Sequence, residues 1–314
     1  MTATIGPAPV PGPGLTPRVP SVDDSPEGGQ VHGPRAGWRL AFTAFIENKL
    51  AVAGLGIVLV FLVFCFVGPF FYHGDTTSVT FNSLAPPGSG APLGTDSNGL
   101  DELGLIMVGG RSSLEIGVFS SVIATVIGTL VGAIAGLVGG ILDAILMRLV
   151  DVLLSIPLLL VILIVSAHYG ASVFKLSLMI GIFSWLGSAR LVRGEVLSLR
   201  VRDFVLAART MGATRRRLIY KHLIPNSLGV VIVNATFQVA DAIVLLAFLG
   251  FLGFGLNYPA VDWGDMLSGG LTYLQDGDWW LVYPVGACLV LVVMAFNFIG
   301  DAWRDTVDVR LRRR

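Results

Sequence analysis

The sequence predicts an all-α polytopic membrane protein with six transmembrane helices, and three observations lead to this fold class. The 314 residues are 54% hydrophobic and only 13% charged, whereas soluble domains carry about a quarter charged residues. Six segments are long and apolar enough to cross a bilayer core, which takes roughly 20 helical residues. The runs are too long and too uniformly apolar for barrel strands, so backbone hydrogen bonding in lipid requires helices.

The predicted spans leave a polar arm, a long loop and a basic tail outside the bilayer. Residues 1–37 are rich in proline and glycine, so we expect a disordered N-terminal arm. The first helix and an extracytoplasmic loop then occupy residues 38–112, a five-helix core residues 113–303, and a basic tail residues 304–314. The spans themselves are expected at residues 50–72, 115–138, 141–166, 173–192, 227–250 and 281–300.

Particular residues indicate how the second and third spans pack. In the second span glycine recurs at every fourth position, at Gly128, Gly132 and Gly136, which gives a flat strip for close helix packing. The third span carries Arg148 and Asp151 with an i,i+3 spacing. An ion pair between them near the membrane interface is the favoured interpretation.

The fifth span carries three polar residues on one helix face. Asn234, Gln238 and Asp241 are spaced by four and three residues. Polar groups inside a span face protein or water rather than lipid. They could line a translocation path, or they could form hydrogen bonds that hold helices together. The sequence leaves both interpretations open.

The distribution of charge predicts the orientation of the chain. Lysine and arginine are concentrated in three regions that six spans place on one side, and the positive-inside rule assigns that side to the cytoplasm. Both termini are therefore expected to be cytoplasmic. The basic residues are Arg35, Arg39, Lys49, Arg193, Arg200, Arg202, Arg209, Arg215, Arg216, Arg217, Lys221, Arg304, Arg310, Arg312, Arg313 and Arg314. The acids of the opposite side are Asp75, Asp96, Asp101, Glu102, Asp262, Asp265, Asp276 and Asp278.

The stretch LAARTMGATRRRLIYKHLIPN lies in the basic segment 200–225, and its internal order is as informative as its charge. Residues 204–211 have the composition of a helix, and Gly212 permits a sharp turn. Residues 214–223 can form a second short helix, which Pro225 would stop before the next span.

Two interpretations of this segment compete. A positive-inside loop that rests on anionic headgroups explains the charge alone. The adjacent small residues Ala207 and Ala208, flanked by arginines, instead suit insertion into a groove of another protein. A helix that rests on headgroups would more often show a broad apolar face with Trp or Phe.

The order of small pair, glycine, basic helix and proline resembles the cytoplasmic loop motif of ABC importer permeases. That motif has Glu-Ala-Ala, a glycine four residues on, and then Ile-x-Leu-Pro. Leu206 stands here in place of the glutamate and His222 in place of the first isoleucine; the dipeptide/oligopeptide branch often lacks that glutamate. The matching residues are Ala207, Ala208, Gly212, Ile224 and Pro225.

Other blocks, in the same order along the chain from about residue 38, are similar to this branch. The segment PLGTDSNGLDELGLIMVGGRSSLEIG is similar to its LGTDxxGRD…GxRxSLxxG block. LMRLVDVLLSIPLLL, FLGFGLNYPAVDWGDML and GDAWRDTVDVRLR are similar to its third-span entry, its FLGLG…WGxML segment and its tail. Five positions in three places depart from the pattern: Leu100 replaces an arginine, residues 105–107 replace polar or basic residues, and Val309 replaces a proline.

The resemblance implies a type I ABC importer permease fold and the C-type permease subunit of a dipeptide/oligopeptide importer in a prokaryotic cell membrane. No lysine lies in a P-loop motif, so we expect no ATPase activity and no cofactor in this chain. ATP and Mg would be bound by one or two partner P-loop ATPase subunits. They would contact the segment from Phe204 to Lys221, and the implied contact residues are Ala207, Ala208, Arg209, Gly212, Arg215, Arg216 and Pro225.

The remaining implied partners are a homologous B-type permease that completes the path, an extracytoplasmic substrate-binding protein and membrane lipid; no nucleic acid is expected. Nickel and glutathione permeases share the motifs, so these substrates stay open. A secondary transporter that works without an ATPase would show inverted repeats, and we find none. No HExxH, GxSxG or clustered His/Asp set favours a membrane enzyme.

Overall fold

The computed structural model describes residues 43, 45–74, 76, 81–88 and 90–312, with side chains described up to residue 306. The N-terminal arm expected at residues 1–37 lies outside this part. The described residues fold as helices joined by turns and short loops. The helices are α1 Lys49–Phe71, α2 Glu102–Val138, α3 Gly140–Leu154, α4 Leu158–Tyr169, α5 Val173–Leu199, α6 Asp203–Thr210, α7 Arg215–Phe251, α8 Trp263–Leu271 and α9 Tyr283–Arg312.

In the described part of the chain, five helices are long and apolar enough to cross a membrane. They are α1, α2, α5, α7 and a helix over Trp279–Thr306, most of which belongs to α9. The expectation of six spans is met if α3 and α4 count together as one broken span. The two are bent by 75° at the break, so the single helix expected over residues 141–166 is wrong. The reason is Pro157, which lacks an N–H and forces Ile156 out of the helical region.

The centre of the bundle is the pairing of α2 with α5. A β-carbon added at Gly132 would lie 2.5 Å from the carbonyl oxygen of Ala189, and one at Gly136 would lie 2.9 Å from Val196 Cγ1. Gly128 meets Ser188 in the same way. The glycine strip expected in the second span is therefore confirmed, and only residues without a side chain allow this approach.

Ion pairs fasten α3 to α5. Arg193 donates from Nε and Nη2 to the two carboxylate oxygens of Asp143 at 2.5 and 2.7 Å. Asp151 pairs with Arg190 of α5 rather than with Arg148, so the pair expected within the third span is wrong. The i,i+3 spacing favours a pair between Arg148 and Asp151, but α5 places Arg190 next to Asp151, and this second arginine forms the pair instead. One of the arginines that indicated orientation, Arg193, thus also supports the fold.

At the opposite end of the bundle, α8 is locked by its first residues. The Asp262 carboxylate accepts from the N–H groups of Leu256, Gly264 and Asp265 at 2.8, 2.9 and 3.0 Å. Trp263 is fully buried, and its Nε1 donates to the carbonyl oxygen of Ile106 at 3.0 Å. These contacts fix α8 against the start of α2.

Candidate functional site

The basic segment forms a helix, a tight glycine turn and the start of a second helix, in the order that the sequence predicts. Helix α6 ends at Thr210, and Gly212 follows in the left-handed region with φ +82°. The N–H of Gly212 donates to the Arg209 carbonyl at 3.0 Å. Thr214 then caps α7, since its Oγ1 accepts from the N–H of Arg217 at 3.3 Å.

Pro225 does not end the second helix, so the expected proline stop is wrong. Helix α7 runs without interruption from Arg215 to Phe251. A π-helical turn over Leu218–Leu223 precedes the proline, which lies in the first turn of the α-helix that follows. A π turn changes which carbonyl each N–H meets, and proline at the start of a helical stretch leaves no donor unpaired. The basic segment is therefore continuous with the fifth span.

The two adjacent alanines of α6 differ in their exposure to solvent. The side chain of Ala207 is exposed, whereas Ala208 is only 6% exposed. Ala208 packs in a cluster of buried residues from α2, α5, α6 and α7. Ala208 thus joins α6 to its own bundle, and only Ala207 presents its methyl group outward. The members of this cluster are Ala133, Leu137, Val192, Val196, Val205, Ala208, Leu218, Ile219, Leu223 and Val231.

The outward face of the segment is basic with an apolar centre. Arg209, Arg215 and Arg216 are all exposed, and so are Gly212 and Pro225. Sequence reasoning missed the apolar contribution of Met211, which is 81% exposed and the most exposed large hydrophobic side chain of the segment. Its position directly before Gly212, in the turn, could have indicated that its side chain is exposed. A shallow pocket of about 270 Å³ adjoins it, lined by Ala208, Met211, Ala213, Arg217, Lys221 and His222.

Two of the three polar residues on α7 form hydrogen bonds between helices. Asn234 Nδ2 donates to Ser188 Oγ at 2.6 Å. Gln238 Nε2 donates to Ser188 Oγ at 2.8 Å and to the Ser184 carbonyl at 2.9 Å, while its Oε1 accepts from Thr125 at 3.2 Å. The two amides therefore join α7 to α5 and α2.

Asp241 has different surroundings from the amides. It is exposed, and it lines an open groove of about 400 Å³ whose walls come from α5, α7 and the break between α3 and α4. The ion pairs of the described residues do not include it. An acid at mid-helix needs protein or water around it. The groove residues are Leu154, Leu158, Phe183, Ser184, Leu186, Gly187, Gln238, Asp241, Val244, Leu245 and Phe248.

A bundle of helices long and apolar enough to cross a membrane, with an exposed basic helix–turn–helix at one end, is the architecture of an integral membrane protein. Residues 128–313 match the family described as the binding-protein-dependent transport system inner membrane component, and the chain belongs to this family. Residues 37–87 match a second family model, the N-terminal TM domain of oligopeptide transport permease C. The protein is a multi-pass membrane permease subunit of this class.

Similar proteins span almost the whole chain. The oligopeptide transport system permease protein OppC of Haemophilus influenzae is 39% identical over 297 residues, which are 94% of this chain and 95% of that protein. The protein of the same name from Bacillus subtilis is 37% identical over 277 residues, 88% of this chain and 90% of that protein. The dipeptide transport system permease protein DppC of Bacillus subtilis is 38% identical over 269 residues, 85% of this chain and 84% of that protein.

Proposed function

We propose that this chain is the C-type permease subunit of an ATP-driven importer of di- or oligopeptides, with both termini in the cytoplasm. The observation that carries the proposal is the exposed face of α6 and the start of α7, joined to a permease bundle whose relatives are named as oligopeptide and dipeptide permeases. ATP and Mg are bound by separate ATPase subunits in this proposal. A homologous B-type permease supplies the other half of the path.

Docking of an ATPase subunit would use Ala207, Met211 and Gly212 at the centre and the arginines at the rim. The exposed methyl of Ala207 and the adjoining Met211 form an apolar patch, and a groove on a partner can bury it. The exposed Arg209, Arg215 and Arg216 are placed to meet acidic groups around such a groove. Complementary charge at a rim sets orientation and association rate, while the buried apolar centre supplies most of the affinity.

Movement of the docked segment would reach the spans through two rigid connections. Helix α6 is packed into the bundle through Val205 and Ala208. Helix α7 continues directly from Arg215 into the span, so about 40 Å of unbroken helix lies between the turn and Asp241. ATPase closure at one end can therefore bias a two-state rearrangement at the other.

The groove beside Asp241 is the proposed contribution of this chain to the translocation path. It opens at the surface of the described bundle, where a second permease subunit would close it. Asp241 supplies a carboxylate that can accept the amino terminus of a peptide. Gln238 lines the groove, but both of its polar atoms bond to neighbouring helices, so we assign it a structural role rather than binding of cargo. Asn234 does not line the groove, and its Nδ2 bonds to Ser188 of α5.

The experiment is reconstitution of the complete transporter in proteoliposomes with the substitution Ala207→Trp. We expect the complex to assemble, while peptide uptake and substrate-stimulated ATPase activity fall at least tenfold because the indole prevents seating in the ATPase. Ile141→Trp is the matched control, since Ile141 is 80% exposed and lies outside the segment. Wild-type coupling in the Ala207→Trp transporter would contradict the docking assignment.

A further inference from the structure

A small acidic pocket lies at the end of the bundle opposite to the basic segment. It has a volume of about 230 Å³, and it is formed by the loop before α2, the first turn of α2, the loop before α8, and α8 itself. Three carboxylates line it, on Asp96, Glu102 and Asp265. Tyr258 and Tyr273 contribute aromatic walls.

Glu102 is the feature that points to a ligand. The residue is only 2% exposed, yet it lines the pocket, and the described residues provide no hydrogen bond or ion pair to its carboxylate. The charged groups that act on it are both acids, Asp96 and Asp101. The neighbouring Asp101 accepts from the N–H of Gly104 at 3.3 Å and lies beside the Tyr72 hydroxyl, while its Oδ1 is buried without a hydrogen-bond partner at good distance and angle in the described part of the chain. Buried acids are normally paired, and a cation that enters the pocket would provide the partner that the described residues do not.

The other two carboxylates do not neutralise the pocket. Oδ1 of Asp96 accepts from the N–H groups of Asn98 and Leu100 at 2.9 and 2.7 Å, and Oδ2 accepts from Asn98 Nδ2 at 3.0 Å. These bonds satisfy both oxygens but leave the negative charge. Partial desolvation of the carboxylate, and then the charge of Asp262, raises the pKa of Asp265 although the residue keeps contact with solvent. A positive group in the pocket would favour the charged form and lower this pKa.

The basic residues nearest to this end in the sequence are engaged elsewhere. Arg111 pairs with Glu115 at 2.9 Å and lies over the ring of Phe66. Lys175 donates to the Tyr169 carbonyl at 2.8 Å. Leu100, which also lines the pocket, is a buried leucine and brings no charge. The described part of the chain therefore places no lysine or arginine among the residues that line the pocket.

Size and chemistry restrict the ligand. Pockets for drug-sized molecules occupy about 300–1,000 Å³, so this one suits the end of a single side chain rather than a whole peptide. The described residues contain no group of three His, Cys, Asp or Glu that could hold a metal ion. An ammonium or guanidinium fits, because it can satisfy several carboxylate oxygens at once and its stem can lie along the tyrosines.

We propose that this pocket binds one lysine or arginine side chain that the extracytoplasmic binding protein presents when it docks. The inference rests on the proposed function, which supplies that partner and places this end of the bundle outside the cell. Charge complementarity is the argument for the partner: three carboxylates converge on a site large enough for one cationic group. The position of the docked binding protein is then set by one buried contact rather than by the general charge of the surface.

The test measures binding of the purified binding protein to the complete transporter in nanodiscs. We expect Glu102→Gln to weaken this binding by at least about 30-fold, as loss of one partner from a buried charge pair does, and Asp265→Asn to weaken it by about 10-fold because Asp265 is exposed. Asp276→Asn is the matched control, because Asp276 is an exposed acid of the same end that does not line the pocket. It should change the affinity by less than about threefold.

A double-mutant cycle identifies the incoming cation. Each lysine and arginine on the docking face of the binding protein is replaced by methionine and measured against wild-type and Glu102→Gln transporter. One of them should be strongly non-additive with Glu102→Gln. Asp265 is exposed, so its variant keeps the experiment interpretable if Glu102→Gln fails to assemble.

The outcomes separate the two proposals. A binding protein that neither binds nor stimulates the wild-type transporter contradicts the proposed function itself. Normal stimulation of wild type with unchanged affinity in both pocket variants overturns only the pocket inference. The inference is also overturned if the variants leave binding-protein affinity unchanged and alter only the uptake of cationic peptides, because the cation would then belong to the cargo.

Discussion

Replacing Ala208 with leucine tests whether α6 is packed into this chain or faces outward. Ala208 is 6% exposed and lies in a cluster with Val205, Leu218 and Leu223. The larger side chain adds three carbon atoms at a position that is packed against this cluster on one side. Overpacking of this kind typically costs about 1–3 kcal/mol. The same substitution at the exposed Ala207 should change stability by less than about 0.5 kcal/mol.

The assay is thermal unfolding of the purified transporter in detergent, with ATPase activity measured on the same samples. We expect Ala208→Leu to lower the apparent melting temperature by several degrees. Ala207→Leu should melt like wild type and lose substrate-stimulated ATPase activity. Equal melting temperatures for the two variants would refute the inward orientation of Ala208. Equal coupling by Ala207→Leu and wild type would refute the outward contact.

Further predictions concern the ion pair, the acidic end and the groove. Arg193→Ala leaves Asp143 without its bidentate partner and should destabilise the bundle by about 1–3 kcal/mol, a value between those for exposed and buried pairs. Recovery of the melting temperature in the swapped variant with Arg193→Asp and Asp143→Arg would show that loss of the ion pair is the cause. Trp263→Ala removes a fully buried ring and its hydrogen bond to Ile106, so a loss of about 3–5 kcal/mol is expected in the same melting assay. Asp241→Asn should reduce uptake of peptides with a free amino terminus relative to N-acetylated peptides, and an unchanged ratio would show that Asp241 does not bind cargo.

Long apolar runs predicted most of the spans, because lipid permits few other structures for such segments. The third span was mispredicted because apolar composition hides a break, although Pro157 was visible in the sequence. The glycine strip was predictable since a four-residue repeat has one physical use at a helix interface. Sequence spacing alone could not find Arg190 as the partner of Asp151, because α5 contributes it from a distant part of the chain.

The local structure of the basic segment could be predicted from the sequence, whereas the exposure of its side chains and the acidic pocket could not. The helix, glycine turn and second helix follow from local residue preferences, and the structure contains them. The burial of Ala208 and the exposure of Ala207 depend on which face of α6 meets the bundle, which an eight-residue helix does not reveal by its own pattern. The acidic pocket has no local motif, since its carboxylates come from separate parts of the chain.

Photocrosslinking from position 211 tests the coupling role most directly. A photoreactive amino acid replaces Met211, the most exposed large hydrophobic side chain of the segment, and the complete transporter is illuminated in proteoliposomes with and without ATP. We expect a crosslink to an ATPase subunit whose yield changes with nucleotide, and none from the same probe at Ile141. Crosslinks from position 211 to lipid alone, in every nucleotide state, would contradict the role of this segment in coupling.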